Sequence, residues 1–232
     1  NFENCQNTVC VDYNFLNWYR TTVTKEPEHH RIWVIPNFSP IATHEQVKRR
    51  DYKNKEINIL FARRFVQMRG TRIMAESALE LLKRHSNIRF TFAGEGPDEG
   101  WLRNAFGSES RVRFMKYEPD KTLSVHLDHD IAVVPSIASE GTSLSVAEAM
   151  ASGCSVVATA VGGVTNMIIS GYNGLLVLPK TISLVEGLEE LIINPDLREK
   201  LGRKAYETAK EAFSMEQWQS SWKLVLQKVA YE

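Results

Sequence analysis

Pro135-Ser-Ile-Ala-Ser-Glu140-Gly-Thr-Ser-Leu-Ser-Val-Ala-Glu148-Ala-Met-Ala-Ser-Gly153 is the stretch whose reading decides the fold. The four residues before it, Ile131-Ala-Val-Val134, form the short apolar run of a buried parallel strand. A loop follows, then a helix-forming segment from Ser143, and Gly153 supplies the stop. The first amides of a helix lack intrahelical partners, so a helix tip facing the C-terminal edge of a sheet is an anion site. Glu148 stands about 7.5 Å along the axis from Ser143 at the helical rise. A ligand with an anionic group at the tip and hydroxyls alongside fits that spacing. Taken alone, two such glutamates more often serve only the helix dipole and solubility.

The residues around them narrow the reading. Pro135-Ser, Glu140-Gly, Glu148-Ala-Met-Ala-Ser-Gly, Val156-Val-Ala-Thr, Val161-Gly-Gly and Asn173-Gly-Leu-Leu-Val follow one another in fixed order and spacing. Together they resemble the donor-binding half of the GT-B retaining glycosyltransferases of family 4, the glycosyl transferases group 1, with Glu140 and Glu148 as the E-x7-E pair. The resemblance covers roughly residues 30–232. It implies an α/β fold: a doubly wound parallel sheet, the Rossmann-like GT-B C-terminal lobe, with C-terminal helices and a short remnant of the N-terminal lobe. It also implies a nucleotide sugar as ligand.

The alternation of strand and helix from residue 57 onward carries the same fold class. Strands are expected over 57–61, 88–92, 112–115, 131–134, 156–158 and 175–178, with helices over 70–83, 98–106, 122–127 and 143–151, a turn at Gly162-Gly163, and two or three helices at the end. Residues 1–36 read as a strand, a brief helix and a second strand. The segment Val34-Ile-Pro-Asn-Phe38 resembles the family's V-I-P-N-G lead into the hinge, with Phe38 in the Gly place. The division expected is residues 1–36 as the remnant and crossover, 37–212 as the nucleotide-sugar-binding domain, and 213–232 as a helix crossing back. Trp218, Trp222 and Val225 fall on one face of that helix, which must pack on residues 1–36, stay exposed, or support self-association. Lys48-Arg-Arg-Asp-Tyr-Lys-Asn-Lys55 reads as a solvated loop.

Composition sets bounds. The 232 residues are 43% hydrophobic, enough for one large packed domain. Lys+Arg 28 balance Asp+Glu 28, so no global basic field points to nucleic acid or an anionic membrane. No run approaches the ~20 apolar residues of a membrane span. The chain begins at Asn1 without Met or a secretory leader, which reads as a processed or truncated chain. Cys5, Cys10 and Cys154 are odd in number and lack metal-ligand spacing; reduced thiols and a cytoplasmic location are expected.

Ala62-Arg-Arg-Phe-Val-Gln-Met-Arg69-Gly70 directly follows a strand, at the sheet edge where such folds bind ligands. It resembles the family's G-R-L-x-x-x-K-G segment, whose cations grip the donor diphosphate. Arg64 takes the Arg place, Arg69 the Lys place, and Arg63 stands where Gly is usual. The resemblance implies a catalytic set of Arg64, Arg69 and Glu140, in which Glu140 contacts the donor sugar hydroxyls and is no covalent nucleophile. Glu148 would hold the ribose hydroxyls. Gly141, Thr142, Ser143 and Leu144 would bring backbone to the sugar and phosphates, while Gly94 and Gly96 border the nucleotide. Tyr117 is able to stack on a base, although core packing is the commoner role of an aromatic. Asn166 and Ser155 replace a usual Glu and Pro.

No P-loop, no G-x-S-x-G elbow and no convincing metal set appears. His126 and His129 share a helix face without a completing ligand, and Asp128 and Asp130 read as loop-capping. The activity that the resemblance implies is retaining, metal-independent glycosyl transfer of the hexosyltransferase type, with no cofactor beyond the UDP- or GDP-linked sugar substrate. Polysaccharide biosynthesis is the expected setting, with a glycan or lipid-linked acceptor held by a missing N-terminal lobe, without which the chain is expected to be inactive. A peripheral membrane contact would belong to the longer protein. The alternatives are another GT-B enzyme, such as a nucleotide-sugar 2-epimerase, and a non-catalytic nucleotide-binding or assembly module.

Overall fold

Short apolar runs, each followed by a loop and a helix, assemble into one parallel sheet. A computed structural model describes residues 5–22, 30–53, 56–138 and 140–230. Its strands are β3 (Ile57–Ala62), β4 (Ile88–Ala93), β5 (Val112–Met115), β6 (Ile131–Val134), β7 (Ser155–Thr159) and β8 (Leu175–Val177), after a separate two-stranded parallel pair of β1 (Asn7–Cys10) and β2 (Arg31–Val34). The order in the large sheet is β5-β4-β3-β6-β7-β8, every pair parallel. Counted from β3 this is 3-2-1-4-5-6, the Rossmann order, whose direction reverses between β3 and β6.

Helices close both faces. They are α1 (Tyr13–Thr22), α2 (His44–Lys48), α3 (Thr71–Arg84), α4 (Glu99–Phe106), α5 (Thr122–Leu127), α6 (Leu144–Ala151), α7 (Thr181–Ile193), α8 (Pro195–Ala212) and α9 (Met215–Ala230). Side-chain alternation along β6 divides the core: Ile131 and Val133 pack with α3, α4 and α7, whereas Ala132 and Val134 pack with α6 and α8. All four are buried, which is why the strand reads as an unbroken apolar run.

Several expectations at the edges of the fold are corrected. Helix α2 was not expected; its signal is Thr43-x-x-Gln46, which forms a capping box with both reciprocal bonds present. The charged 48–55 segment is only partly solvated. Arg50 donates to the carbonyls of His126, His129 and Ser152, and Tyr52 is buried with its hydroxyl 2.8 Å from Gly153 O; Asn54 and Lys55 lie outside the described residues. Asp130, expected to cap a loop, is buried and accepts from the Asn58 amide at 2.8 Å.

The tryptophan face of α9 packs on Phe38, just beyond the 1–36 segment. Phe38 and Trp218 have ring centroids 5.1 Å apart, Trp218 and Trp222 6.0 Å, and Val225 is buried. Trp218 and Trp222 remain half-buried, so this contact covers the face in part from within the chain. Phe38 in place of glycine is explained by the same contact. Asn166, in the place of Glu, accepts from the Tyr13 amide at 3.1 Å and ties the start of α1 to the turn at residues 162–166. Ser155, in the place of Pro, bonds Arg198 O.

Candidate functional site

The C-terminal ends of β3 and β6 flank a cleft at the point where the strand order reverses. Its larger compartment, about 800 Å³, is lined by Arg63, Arg64, Gly94, Gly96, Tyr117, Thr122, Ser145 and Glu148, among others. A smaller one of about 340 Å³ holds Asn37, Arg69, Glu140, Gly141, Thr142 and Leu144. Arg63, Arg64 and Ser145 line both, so the two are one continuous cleft. Every residue assigned from the sequence except Ser143 lines it, and Ser143 caps α6 beside it.

The loop after β3 follows from local constraints. Gly70 has φ +77, and a Cβ there would stand 1.8 Å from Pro135 O; only glycine lets the arginine loop pack against the start of the β6 loop. A Cβ on Gly94, at φ +148, would stand 2.1 Å from Arg63 O. These contacts press three loops together at one edge of the sheet.

Glu140 is the electrostatic centre. Its Oε1 accepts from Arg63 Nη2 at 2.7 Å, from Arg69 Nη1 at 2.6 Å and from the Ser136 hydroxyl. Arg63 also donates to Ser136 Oγ. Burial works to raise the Glu140 carboxyl, but the Arg63 charge, the Ser136 bond and Arg69 outweigh it, and the group lies below the ordinary carboxylate range. Glu148 is shifted the other way. Burial pushes its carboxyl up, only partly opposed by the Thr122 hydroxyl and Arg63. Thr122 Oγ1 is itself buried with no hydrogen-bond partner, close enough to Glu148 to favour its charge but outside bonding geometry.

Helix α6 begins at Leu144, and its cap Ser143 makes no side-chain capping bond. The amides of Leu144 and Ser145 find no acceptor among the described residues, and both residues line the smaller compartment. Arg64 is exposed, lines both compartments, and makes no ion pair among the described residues. An unpaired guanidinium and unpaired helix amides at one end, with a carboxylate at the other, can take a ligand carrying phosphate and hydroxyls.

Thr142 and Gly141 play a partly different part from the one expected. The Thr142 hydroxyl donates to Val11 O and accepts from the Asn37 amide at 3.3 Å. A Cβ on Gly141 would stand 3.1 Å from Asp12 and Val11 side-chain atoms. Both residues thus join the Glu140 loop to the N-terminal segment as well as lining the cleft. Tyr117 combines its two readings, packing against the Leu60, Ala62, Ala93 and Val125 cluster while facing the larger compartment.

Sequence reasoning missed Arg63, Ser136 and Thr122. For Arg63 a signal was present: a cation replacing glycine at the end of a buried strand needs a carboxylate partner, and Glu140 was already singled out. Thr122 had none, since an isolated threonine at a helix start reads as a cap. His126 and His129 are no site; each bonds a carbonyl of α5, and burial holds His126 neutral, its pKa lowered to about 4. Among the described residues no group of three or more His, Cys, Asp or Glu could hold a metal ion.

A parallel sheet of this order with a cleft at its switch point is Rossmann-like, and its likeness to solved glycosyltransferase structures makes it a GT-B lobe. Residues 43–208 match the family Glycosyl transferases group 1, and the chain belongs to that family. It is 28% identical over 167 residues to the uncharacterized glycosyltransferase MJ1607 of Methanocaldococcus jannaschii, covering 70% of this chain and 42% of the relative. It is 32% identical over 161 residues to the D-inositol 3-phosphate glycosyltransferase of Corynebacterium diphtheriae, covering 64% and 37%. The chain therefore spans less than half the length of these relatives. Among solved structures, the pneumococcal O-GlcNAc transferase GtfA, in complex with UDP and GlcNAc, superposes with a TM-score of 0.82 at 17% identity, covering 100% of this chain and 47% of that one. Sucrose-phosphate synthase from Thermosynechococcus elongatus gives 0.80 at 22% identity, covering 100% and 60%. These likenesses bear on the fold.

Proposed function

We propose that this domain binds the nucleotide-diphosphate sugar donor of a retaining, metal-independent glycosyltransferase of family 4. The observation that carries the reading is the placing of Arg64, the unpaired amides of α6 and Glu148 along one cleft at the switch point of the sheet. Diphosphate would lie against Arg64, Arg69 and the helix tip, the ribose hydroxyls against Glu148, and the base beside Tyr117. The transferred sugar would lie in the smaller compartment against Glu140, whose Oε2 accepts no bond from the described residues. As the glycosidic bond breaks, charge grows on the leaving diphosphate, and Arg64 and the helix amides, already in place, stabilise it without reorganising. The protein thus supplies the positive charge that a metal ion supplies in other transferases.

A uridine nucleotide is favoured because fold neighbours were solved with UDP, or with UDP-glucose in the case of HepE from Anabaena. A hexosyl donor is consistent with the same neighbours. An acceptor would be held outside residues 37–212, so the domain is expected to bind donor but not to transfer sugar. The buried thiols Cys10 and Cys154 suit a reducing, cytoplasmic compartment, and glycan assembly there fits a lipid-linked or glycan acceptor. No helix among the described residues is long and apolar enough to cross a membrane.

Thermal melts with UDP-, GDP- and ADP-sugars test this reading. A ligand at a hundredfold excess over its Kd adds about 2.7 kcal/mol, which raises Tm by roughly 5–10 °C in a chain of this size. Melts that no nucleotide sugar moves would refute it.

A further inference from the structure

Arg63 and Arg69 share one carboxylate oxygen, yet they stand differently. The Arg63 side chain is 6% exposed and is bonded both to Glu140 Oε1 and to Ser136 Oγ. Moving it would leave a buried carboxylate with less compensation, which is costly. The Arg69 side chain is 36% exposed and lines the smaller compartment beside Arg64 and the first residues of α6. Of the two, Arg69 is the one placed to change partner.

We propose that Arg63 is a positioning residue, the permanent counter-ion of Glu140, whose presence lets Arg69 leave that carboxylate for the phosphate of the ligand. The proposal rests on the nucleotide reading of the cleft. With Arg69 as its sole cation, the Glu140 side chain, 5% exposed, would compete with phosphate for a single guanidinium. A buried carboxylate stripped of its cation is the more expensive state, so Arg69 would stay. Arg63 remains behind to compensate Glu140, and Ser136 holds both.

The test is calorimetric titration of UDP, GDP and ADP, which carry a diphosphate but no sugar, into the wild type, Arg63→Met, Glu140→Gln and the double variant. For the nucleotide that the wild type binds, Arg63→Met is expected to weaken affinity about tenfold or more, the loss of one charge-assisted phosphate bond. Glu140→Gln removes the charge that competes with phosphate for Arg69 and is expected to bind at least as tightly as the wild type. The double variant is expected to match Glu140→Gln within about threefold, because Arg63 has nothing left to compensate. That rescue separates positioning from a merely structural role.

A folded Arg63→Met protein with wild-type affinity overturns the proposal. So does a double variant tenfold weaker than Glu140→Gln, which would make Arg63 a direct phosphate ligand. The second comparison stands even where Arg63→Met alone fails to fold. A wild type that binds none of the three nucleotides overturns the nucleotide reading itself, a different result from either of these.

Discussion

Replacing Glu148 by Gln should make the protein more stable and a poorer nucleotide binder at once. The carboxyl is half-buried in the cleft, no hydrogen bond to it is formed among the described residues, and the Thr122 hydroxyl that partly opposes its shift stands outside bonding geometry. An incompletely compensated polar group of this kind costs about 1–3 kcal/mol in folded proteins. Relieving about 1 kcal/mol raises Tm by roughly 2–4 °C at this chain length. The same change removes a charged acceptor from the ribose hydroxyls, each such bond being worth about 1.5–3 kcal/mol, or tenfold or more in affinity. The pH dependence follows from the direction of the shift. The folded carboxyl titrates above its ordinary 4.5, so the folded state binds the proton more tightly and wild-type stability falls as pH rises through that window. The Gln variant lacks this fall, so its advantage opens on going from acid to neutral pH. Wild-type nucleotide affinity runs the opposite way and weakens as pH drops through the raised value. Melts from pH 4 to 8, paired with titrations, read both effects. A Gln variant that melts below the wild type at pH 7.5 would refute the reasoning.

Three further outcomes are expected. Gly70→Ala places a Cβ 1.8 Å from Pro135 O at φ +77 and should lower stability by at least about 2 kcal/mol in urea unfolding; a loss under half that size would contradict the packing of the arginine loop. His126 is kept neutral with a pKa of about 4 against an ordinary 6.5. Its share of stability, about 3 kcal/mol at most, is complete above 6.5 and lost as pH falls toward 4, and replacing it by Phe should flatten the profile in that window. Phe38→Gly uncovers Trp218, so tryptophan emission should shift to the red; an unchanged spectrum would mean that α9 does not rest there.

The fold was legible because its signals are local and repeated. The apolar run over 131–134 and the alternating segment over 112–115 became β6 and β5 with the expected bounds, and glycines marked the turns. The cleft was legible because Glu140, Glu148 and the arginine segment sit at strand ends, where a parallel sheet brings distant residues together. Which of three neighbouring arginines turns inward was not. That depends on Ser136 and Glu140, more than seventy residues away. The 48–55 segment misled for a similar reason: its charge reads as solvation, while Arg50 finds carbonyls at the ends of two distant helices. Long-range hydrogen bonds to backbone carbonyls leave no trace in composition or periodicity.

The central claim is that the cleft between β3 and β6 binds a nucleoside diphosphate. Calorimetric titration of UDP, GDP and ADP into the wild type, Arg64→Ala and Glu148→Ala tests it most directly. Saturable binding of one nucleotide, weakened about tenfold or more by each change, is the result expected. Binding that neither substitution alters, or no binding of any of the three, would contradict it.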